Sequence, residues 1–257
     1  INYLDNNSHV QLVPLPFYPD YYPDEPGATL GGRVMEPLAL DARELGAAFK
    51  LLRPPLPEFT LFGGMMVARP DIAHFRHVFR SVSSTLRVAK LTAAYLLQRI
   101  RLHRGANLVL GNALAGRLLR SLLTLKVPVR LSTTTNRLIQ QAGRVTGVEI
   151  ETASGPEVIA ARRGVVLATG GFSHDPVARQ KHLAAEAALH SAAAEGNTGD
   201  GLNLALEAGG NVPQDNVSNA FWAPVSRFTR ADGSAGVFPH TVTDRGKPGM
   251  LAVNQDG

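Results

Sequence analysis

Apolar residues recur at helical spacing between Asp71 and His103, where Leu86, Ala89, Ala93, Leu96, Leu97 and Ile100 lie three or four positions apart or adjacent. Arg76, Arg80, Arg87, Lys90, Arg99, Arg101 and Arg104 interleave with them. The pattern predicts an amphipathic helical segment that buries its apolar positions and solvates a basic face. Residues 112–123, Asn-Ala-Leu-Ala-Gly-Arg-Leu-Leu-Arg-Ser-Leu-Leu, predict another helix. The pattern then turns β-like. Val127–Leu131 reads as a short strand. Arg137–Gln141 and Arg144–Glu151, joined by Ala142-Gly143, predict a hairpin, with Val158–Arg162 as a third antiparallel strand. Gly164–Ala168 is continuously apolar, the mark of a strand buried on both faces, and it stops at Thr169-Gly170-Gly171. Asp175–Ala188 and Leu202–Ala208 predict helices, the latter opened by Thr198-Gly-Asp-Gly201 and closed by Gly209-Gly210. From Asn211 the pattern is less regular, up to a strand-like run at Gly249–Asn254.

The first 60 residues break this regularity with prolines, glycines and aromatics, as in Val13-Pro-Leu-Pro-Phe-Tyr-Pro-Asp-Tyr-Tyr-Pro-Asp-Glu-Pro-Gly27. Proline removes a backbone donor and fixes φ, so an ordered but irregular loop region is expected. Neither end looks like a natural terminus. The start lacks Met and a basic-then-apolar leader, and the last residues stop in a turn, so the chain reads as the interior of a longer protein. With 44% hydrophobic and 18% charged residues among 257, it has the composition of a folded rather than a disordered chain. The most apolar stretch, around Val88–Leu97, is interrupted by Lys90 and followed by Gln98, so no membrane span is expected. The absence of cysteine removes disulfides, thiolate metal sites and thiol catalysis, and suits a cytoplasmic protein. The formal charge of +5 is concentrated in the segment from Arg76 to Arg104. A solvated helix face explains it. A surface for nucleic acid or anionic membrane is the other reading, but Tyr95 is alone there and no stacking aromatics accompany the charges, so no nucleic-acid partner is expected.

Two glycine turns carry the candidate chemistry. A buried strand delivers the backbone to a sheet edge, where ligands bind in open α/β folds, and Gly170-Gly171 there would let the main chain approach a ligand closely. Thr198-Gly-Asp-Gly201 opens a helix whose free N–H groups favour an electron-rich group. Each alone is most simply a tight turn. His74 and His77 lack a third ligand nearby in sequence, so no metal site is expected. His174-Asp175-Pro176 reads as a helix start. No Gly-x-Ser-x-Gly elbow and no Gly-Lys-Ser/Thr phosphate loop occurs.

In order and spacing these segments resemble the FAD-dependent fumarate reductase and succinate dehydrogenase flavoprotein family, within it the 3-ketosteroid dehydrogenase branch. The resemblance runs from Gly105-Ala-Asn-Leu-Val-Leu-Gly-Asn through Val127-Pro-Val-Arg-Leu-Ser-Thr133, Gly164–Phe172 and Gly196-Asn-Thr-Gly-Asp-Gly-Leu202 to Ala208-Gly-Gly210. It includes Lys247-Pro-Gly-Met-Leu-Ala-Val-Asn-Gln-Asp-Gly257 and the aromatic loop Tyr18-Pro-Asp-Tyr-Tyr-Pro-Asp-Glu-Pro-Gly27. It implies an α/β fold. Residues 1–210 would be the later part of a glutathione-reductase-like FAD-binding domain with a β-hairpin excursion, and residues 211–257 the start of a cap or substrate domain. The first part would divide into an irregular region at 1–60, a helical one at 71–123 and a flavin-facing one at 127–210.

The resemblance further implies FAD as cofactor. Thr135 would lie near it, Ala168, Thr169, Gly170 and Gly171 would line its cleft with main-chain atoms, and Asp200 would help hold it. Tyr21 would remove a proton, with Tyr18 as its neighbour. A phenol ordinarily titrates near about 10, so such a base needs a nearby donor or cation. Packing of these tyrosines on the surrounding prolines is the competing reading. Phe221 and Trp222 stand where the fumarate reductases place a substrate-gripping His. Such a wall suits a flat apolar small molecule, and core packing under a loop is the alternative. The implied reaction is dehydrogenation of a CH–CH bond next to a ketone, with an electron acceptor that the residues do not identify. A fumarate-reductase-like enzyme of a small polar substrate and a non-catalytic module that has lost its cofactor are the rival readings.

The pyrophosphate turn Gly-x-Gly-x-x-Gly is not in these residues, and Gly31-Gly32, Gly63-Gly64 and Gly209-Gly210 are isolated pairs. Residues 1–257 purified alone should therefore carry far less than one FAD per chain and show no turnover. Flavin absorbance at one equivalent per chain would contradict this.

Overall fold

The computed structural model describes residues 1–20, 22–183, 190–213, 215–240, 251, 253 and 256. The chain forms two compact units, Ile1–Val129 and Arg130–Gly257.

In the first unit the expected irregular region is more ordered than its proline content suggests. It holds α1 (Asn2–Asn7), β1 (Leu12–Pro14), β2 (Met35–Pro37) and β3 (Leu40–Asp41), with β1 and β2 antiparallel. A 3-10 helix, Ala42–Leu51, follows. The Asp41 carboxylate accepts from the Arg43 N–H at its start. The Arg43 guanidinium beside Asp41 holds that carboxyl below the usual carboxylate range. Its contribution is complete above the unfolded-state pKa and is lost as pH falls through the lowered folded value. Helices α2 (Arg69–Arg76) and α3 (Val82–Leu102) come next, then β4 (Asn107–Leu108) and α4 (Leu110–Thr124).

The core forms where β3 pairs with β4, Leu40 opposite Leu108, and the 3-10 helix and α4 close over them. Leu40, Leu45, Phe49, Met66, Leu108 and Leu119 are buried there. Gly116 permits the approach of α4, since a Cβ at that position would lie 2.6 Å from Leu40 Cδ2. Arg117, one residue on, is buried and bonded to the backbone. Its Nε donates to the Leu38 carbonyl at 2.8 Å, Nη2 to Ala39 at 2.8 Å and Nη1 to His9 at 2.9 Å.

The helical segment from Asp71 to His103 departs from expectation in two ways. It breaks at residues 77–81 into two helices, tied by the Arg87 Nε–Asp71 pair at 2.8 Å. Its inward face is not the predicted one. Ser84, Val88, Leu91, Tyr95, Gln98 and Leu102 point inward to varying depth, whereas Leu86, Ala89, Ala93, Leu96, Leu97 and Ile100 are exposed. Polar anchors decide the rotation. Tyr95 donates to the Phe62 carbonyl at 3.0 Å, and Gln98 accepts from the Ala106 N–H at 2.8 Å.

The second unit opens without the expected strand at Val127–Leu131, which straddles the boundary. Val127, Val129 and Leu131 are exposed and pair with no strand among the described residues. The antiparallel meander β5 (Thr134–Gln141), β6 (Arg144–Thr152) and β7 (Gly155–Ala160) follows. Ala142 and Gly143 join β5 to β6 with φ of 49° and 75°, the primed turn that matches strand twist.

Gly164–Ala168 is also corrected. It is not a buried paired strand but an unpaired segment, with Val166 88% exposed. A strand needs a neighbour for its backbone groups, and no described strand lies alongside. α5 (Pro176–His182) is capped by Asp175, whose Oδ1 accepts from the Val177 and Ala178 N–H groups. The rest of the helix expected to Ala188 falls on 184–189, outside the described residues, as does most of the strand-like run at 249–254. α6 (Asp200–Glu207) ends as predicted. Gly210 N–H bonds to Ala205 O and Gly209 N–H to Leu206 O, with Gly209 at φ 90°. A hairpin of β8 (Val225–Thr229) and β9 (Ala235–Pro239) is the last pairing among the described residues.

Arg117→Leu should leave the carbonyls of His9, Leu38 and Ala39 without their shared donor. We expect a loss of about 3 kcal/mol from the unfolding free energy, read by urea titration. A loss under about 1 kcal/mol would show that water replaces the guanidinium.

Candidate functional site

Two glycine turns meet in the second unit. After the extended run, Gly170 takes φ 81°, and a Cβ there would lie 2.2 Å from Asn197 Oδ1. Gly199 also takes φ 81° as the cap of α6, and its N–H donates to the Gly171 carbonyl at 3.1 Å. His174 N–H donates to the Asn197 carbonyl at 2.8 Å. Gly201, in the first turn of α6, lies against Thr169 so closely that a Cβ would come within 2.0 Å of its Oγ1. Gly170 and Gly201 therefore sit where a side chain would collide, Gly199 takes a backbone conformation that side chains disfavour, and segments some thirty residues apart lock together. Gly171 differs. No heavy atom lies within 4 Å of where its Cβ would be, so its α-carbon faces open space.

That space belongs to a cleft of about 800 Å3. Thr169, Gly170 and Gly171 line it on one side and Gly201, Leu202 and Ala205 of α6 on another. Leu167, Phe172, Val217 and Phe221 give it apolar walls. A second cleft of about 370 Å3 lies beside it, sharing Gly171, Phe172 and Phe221 and adding Trp222, Ser173 and Arg179. Arg179 is buried, with Nη1 donating to the Ser173 carbonyl at 2.6 Å and Nη2 to the His190 carbonyl at 3.1 Å. Ser173 Oγ is buried with no hydrogen-bond partner among the described residues.

Of the residues singled out from sequence, the structure brings Thr169, Gly170, Gly171 and Phe221 to the larger cleft and Trp222 to the smaller one. Phe221 and Trp222 are exposed rather than packed in a core, and Trp222 Nε1 donates to Ser218 Oγ at 3.0 Å. Ala168 is exposed and lines neither cleft. Asp200 sits in the first turn of α6, where its Oδ1 accepts from Thr198 Oγ1 at 3.0 Å. Thr135 lies on β5 opposite Ile150, next to a bulge, and lines neither cleft. In the first unit Tyr18 is half-buried, and Tyr21 lies outside the described residues. Asn197, Ser173 and Arg179 escaped the sequence reading. Asn197 stands inside a recognised motif, and only its contact with Gly170 reveals what it does. Ser173 and Arg179 carry no spacing signal.

A family model of an FAD binding domain matches residues 12–257. The chain belongs to the FAD binding domain family. This FAD binding domain is 35% identical to the 4-oxocyclohex-2-ene-1-carboxylate 5-dehydrogenase of Sinomonas cyclohexanicum, over all of this chain and 44% of that protein. It is 32% identical to the 3-oxosteroid 1-dehydrogenase of Mycobacterium tuberculosis, over all of this chain and 45% of that one. Among solved structures it is similar to the 3-ketosteroid delta1-dehydrogenase from Sterolibacterium denitrificans in complex with 1,4-androstadiene-3,17-dione. That match has a TM-score of 0.73 and 33% identity, and covers 91% of this chain and 42% of that chain. The chain thus spans under half the length of these relatives.

FAD is the cofactor of the family, and the cleft fits part of it. The open side of Gly171 leaves main chain free for a flat group to press against, which a Cβ would obstruct. Thr169, Gly170, Gly171 and Leu202 would hold that part.

Gly201→Ala in the full-length protein should push α6 away from Thr169 and lower FAD occupancy several-fold, measured by flavin absorbance per protein. Adding Thr169→Ala removes the colliding hydroxyl and should restore part of it. Full occupancy in the single variant would show that the junction does not position the cofactor.

Proposed function

We propose that the protein containing this chain is an FAD-dependent dehydrogenase that removes two hydrogens from adjacent carbons next to a ketone, and that its substrate is a ketosteroid-like apolar molecule. The observation that carries the reading is the cleft in which bare glycine backbone faces apolar walls formed by Leu167, Phe172, Val217 and Phe221. Its volume falls within the range of roughly 300–1,000 Å3 usual for small-molecule sites. The similarity to steroid and oxocyclohexene dehydrogenases supports the same reaction type.

In this reading the glycine backbone takes the cofactor, and Phe221 and Trp222 offer an aromatic surface to the substrate. Thr135, Ala168 and Asp200 support the cofactor from outside the described clefts. Tyr21 accepts the proton from the carbon next to the ketone, with Tyr18 as its neighbour. Bound FAD supplies the hydride acceptor for the second carbon, and an external electron acceptor later removes the electron pair. The substrate loses one proton and one hydride and gains a C=C bond. The FAD-binding part ends near residue 210, the strands β5–β7 are an excursion from it, and a substrate-covering domain begins at Asn211. No described helix is long and apolar enough to cross a membrane, and we place the protein in the cytoplasm.

A second reading rests on the smaller cleft. Ser173 lines that space, and its Oγ is buried with no hydrogen-bond partner among the described residues. A hydroxyl can donate to a carboxylate, so a cyclic oxo-carboxylate is the alternative substrate, in keeping with the relative named for such a compound.

The test assays the full-length protein with an artificial electron acceptor, comparing a 3-ketosteroid with 4-oxocyclohexanecarboxylate. The steroid should show the higher kcat/KM, and Tyr21→Phe should lower kcat by on the order of 100-fold or more. Higher kcat/KM on the carboxylate selects the second reading. Fumarate reduction alone, without either dehydrogenation, would reject both.

A further inference from the structure

α3 has two apolar faces, and the first unit uses only one. Ser84, Tyr95, Gln98 and Arg87 bond into the unit through His74, Phe62, Ala106 and Asp71. On the opposite side Val82, Leu86, Ala93, Leu96, Leu97 and Ile100 form one exposed stripe. Leu86 is 66% exposed and Ile100 75%. At a rise of about 1.5 Å per residue the stripe is about 27 Å long. Phe79, 97% exposed, stands just before its start. Isolated exposed leucines need no explanation, but a continuous stripe along a whole helix does.

The charge around the stripe indicates what covers it. Lys90 and Arg101 flank it at helical spacing, and Arg76 and Arg80 stand beside Phe79. All four are exposed, and none makes an ion pair among the described residues. Between Asp71 and Glu149 the sequence contains no Asp or Glu. A long apolar stripe edged by cations and free of acids is the composition of a helix lying in a membrane interface, with its side chains in the acyl boundary and its cations at anionic headgroups. It is too short of apolar residues to span a bilayer.

We propose that the outward face of α3, with Phe79, docks the protein on an anionic lipid surface. This does not rest on the proposed reaction. Lys90 and Arg101 contact the headgroups, and Leu86 and Ile100 enter the apolar boundary. Such docking would place an enzyme of apolar substrates at the phase where those substrates dissolve.

Co-sedimentation of the full-length protein with vesicles tests this. Vesicles of phosphatidylcholine containing about a third phosphatidylglycerol should bind it, pure phosphatidylcholine should bind it far less, and salt should weaken the binding. Leu86→Ser with Ile100→Ser should lower the binding constant by on the order of tenfold or more. Lys90→Gln with Arg101→Gln, confined to exposed side chains, should lower it and flatten its salt dependence. No binding to the anionic vesicles would overturn the proposal, as would binding that neither variant changes. A dimer in solution that the serine variant dissociates, without vesicle binding, would assign the face to a second copy and also overturn it.

Discussion

The Gly199 N–H donates to the Gly171 carbonyl, and the site depends on the junction around that bond. It joins the end of an extended run to the start of α6, and it works only because glycines stand on both sides. A side chain at Gly170 would strike Asn197, and one at Gly201 would strike Thr169. Both contacts are with side chains, Asn197 Oδ1 at 2.2 Å and Thr169 Oγ1 at 2.0 Å from the Cβ that each glycine lacks, so a side chain at either glycine would force Asn197 or Thr169 to move. The consequence is chemical. The junction fills the space at Gly170 and Gly201 and leaves the α-carbon of Gly171 facing open space, where main chain could meet a cofactor in the proposed reading.

What could be read in the sequence follows from how local each feature is. Asp175 before Pro176, the Ala142-Gly143 turn and the Gly209-Gly210 stop are decided by residues within a few positions of one another, and all three form as their residue types require. Gly164–Ala168 failed for the opposite reason. Its apolar run states what a buried strand needs, but a strand exists only beside a partner, and none is among the described residues. Val127–Leu131 failed in the same way. The two glycine turns were legible singly as turns. Their union rests on contacts such as Asn197 to Gly170, which have no spacing signature.

α3 shows a different limit. Periodicity found a helix and an apolar stripe, and the natural inference was that the stripe faces inward. The hydrogen bonds of Tyr95 and Gln98 turn the other face inward instead. A buried hydroxyl or amide left without a partner costs more than an exposed leucine, so polar satisfaction sets the rotation when a helix offers two apolar faces. The unspent stripe then becomes a surface with its own chemistry, edged by Lys90 and Arg101.

The central claim is that FAD meets bare backbone where the two glycine turns join. A crystal structure of the full-length protein with FAD bound tests it most directly. The cofactor should lie within van der Waals contact of the Gly170–Gly171 main chain, with the Gly199 N–H still bonded to Gly171. FAD bound elsewhere, with the Gly171 side of the cleft filled by the protein's own residues, would contradict it.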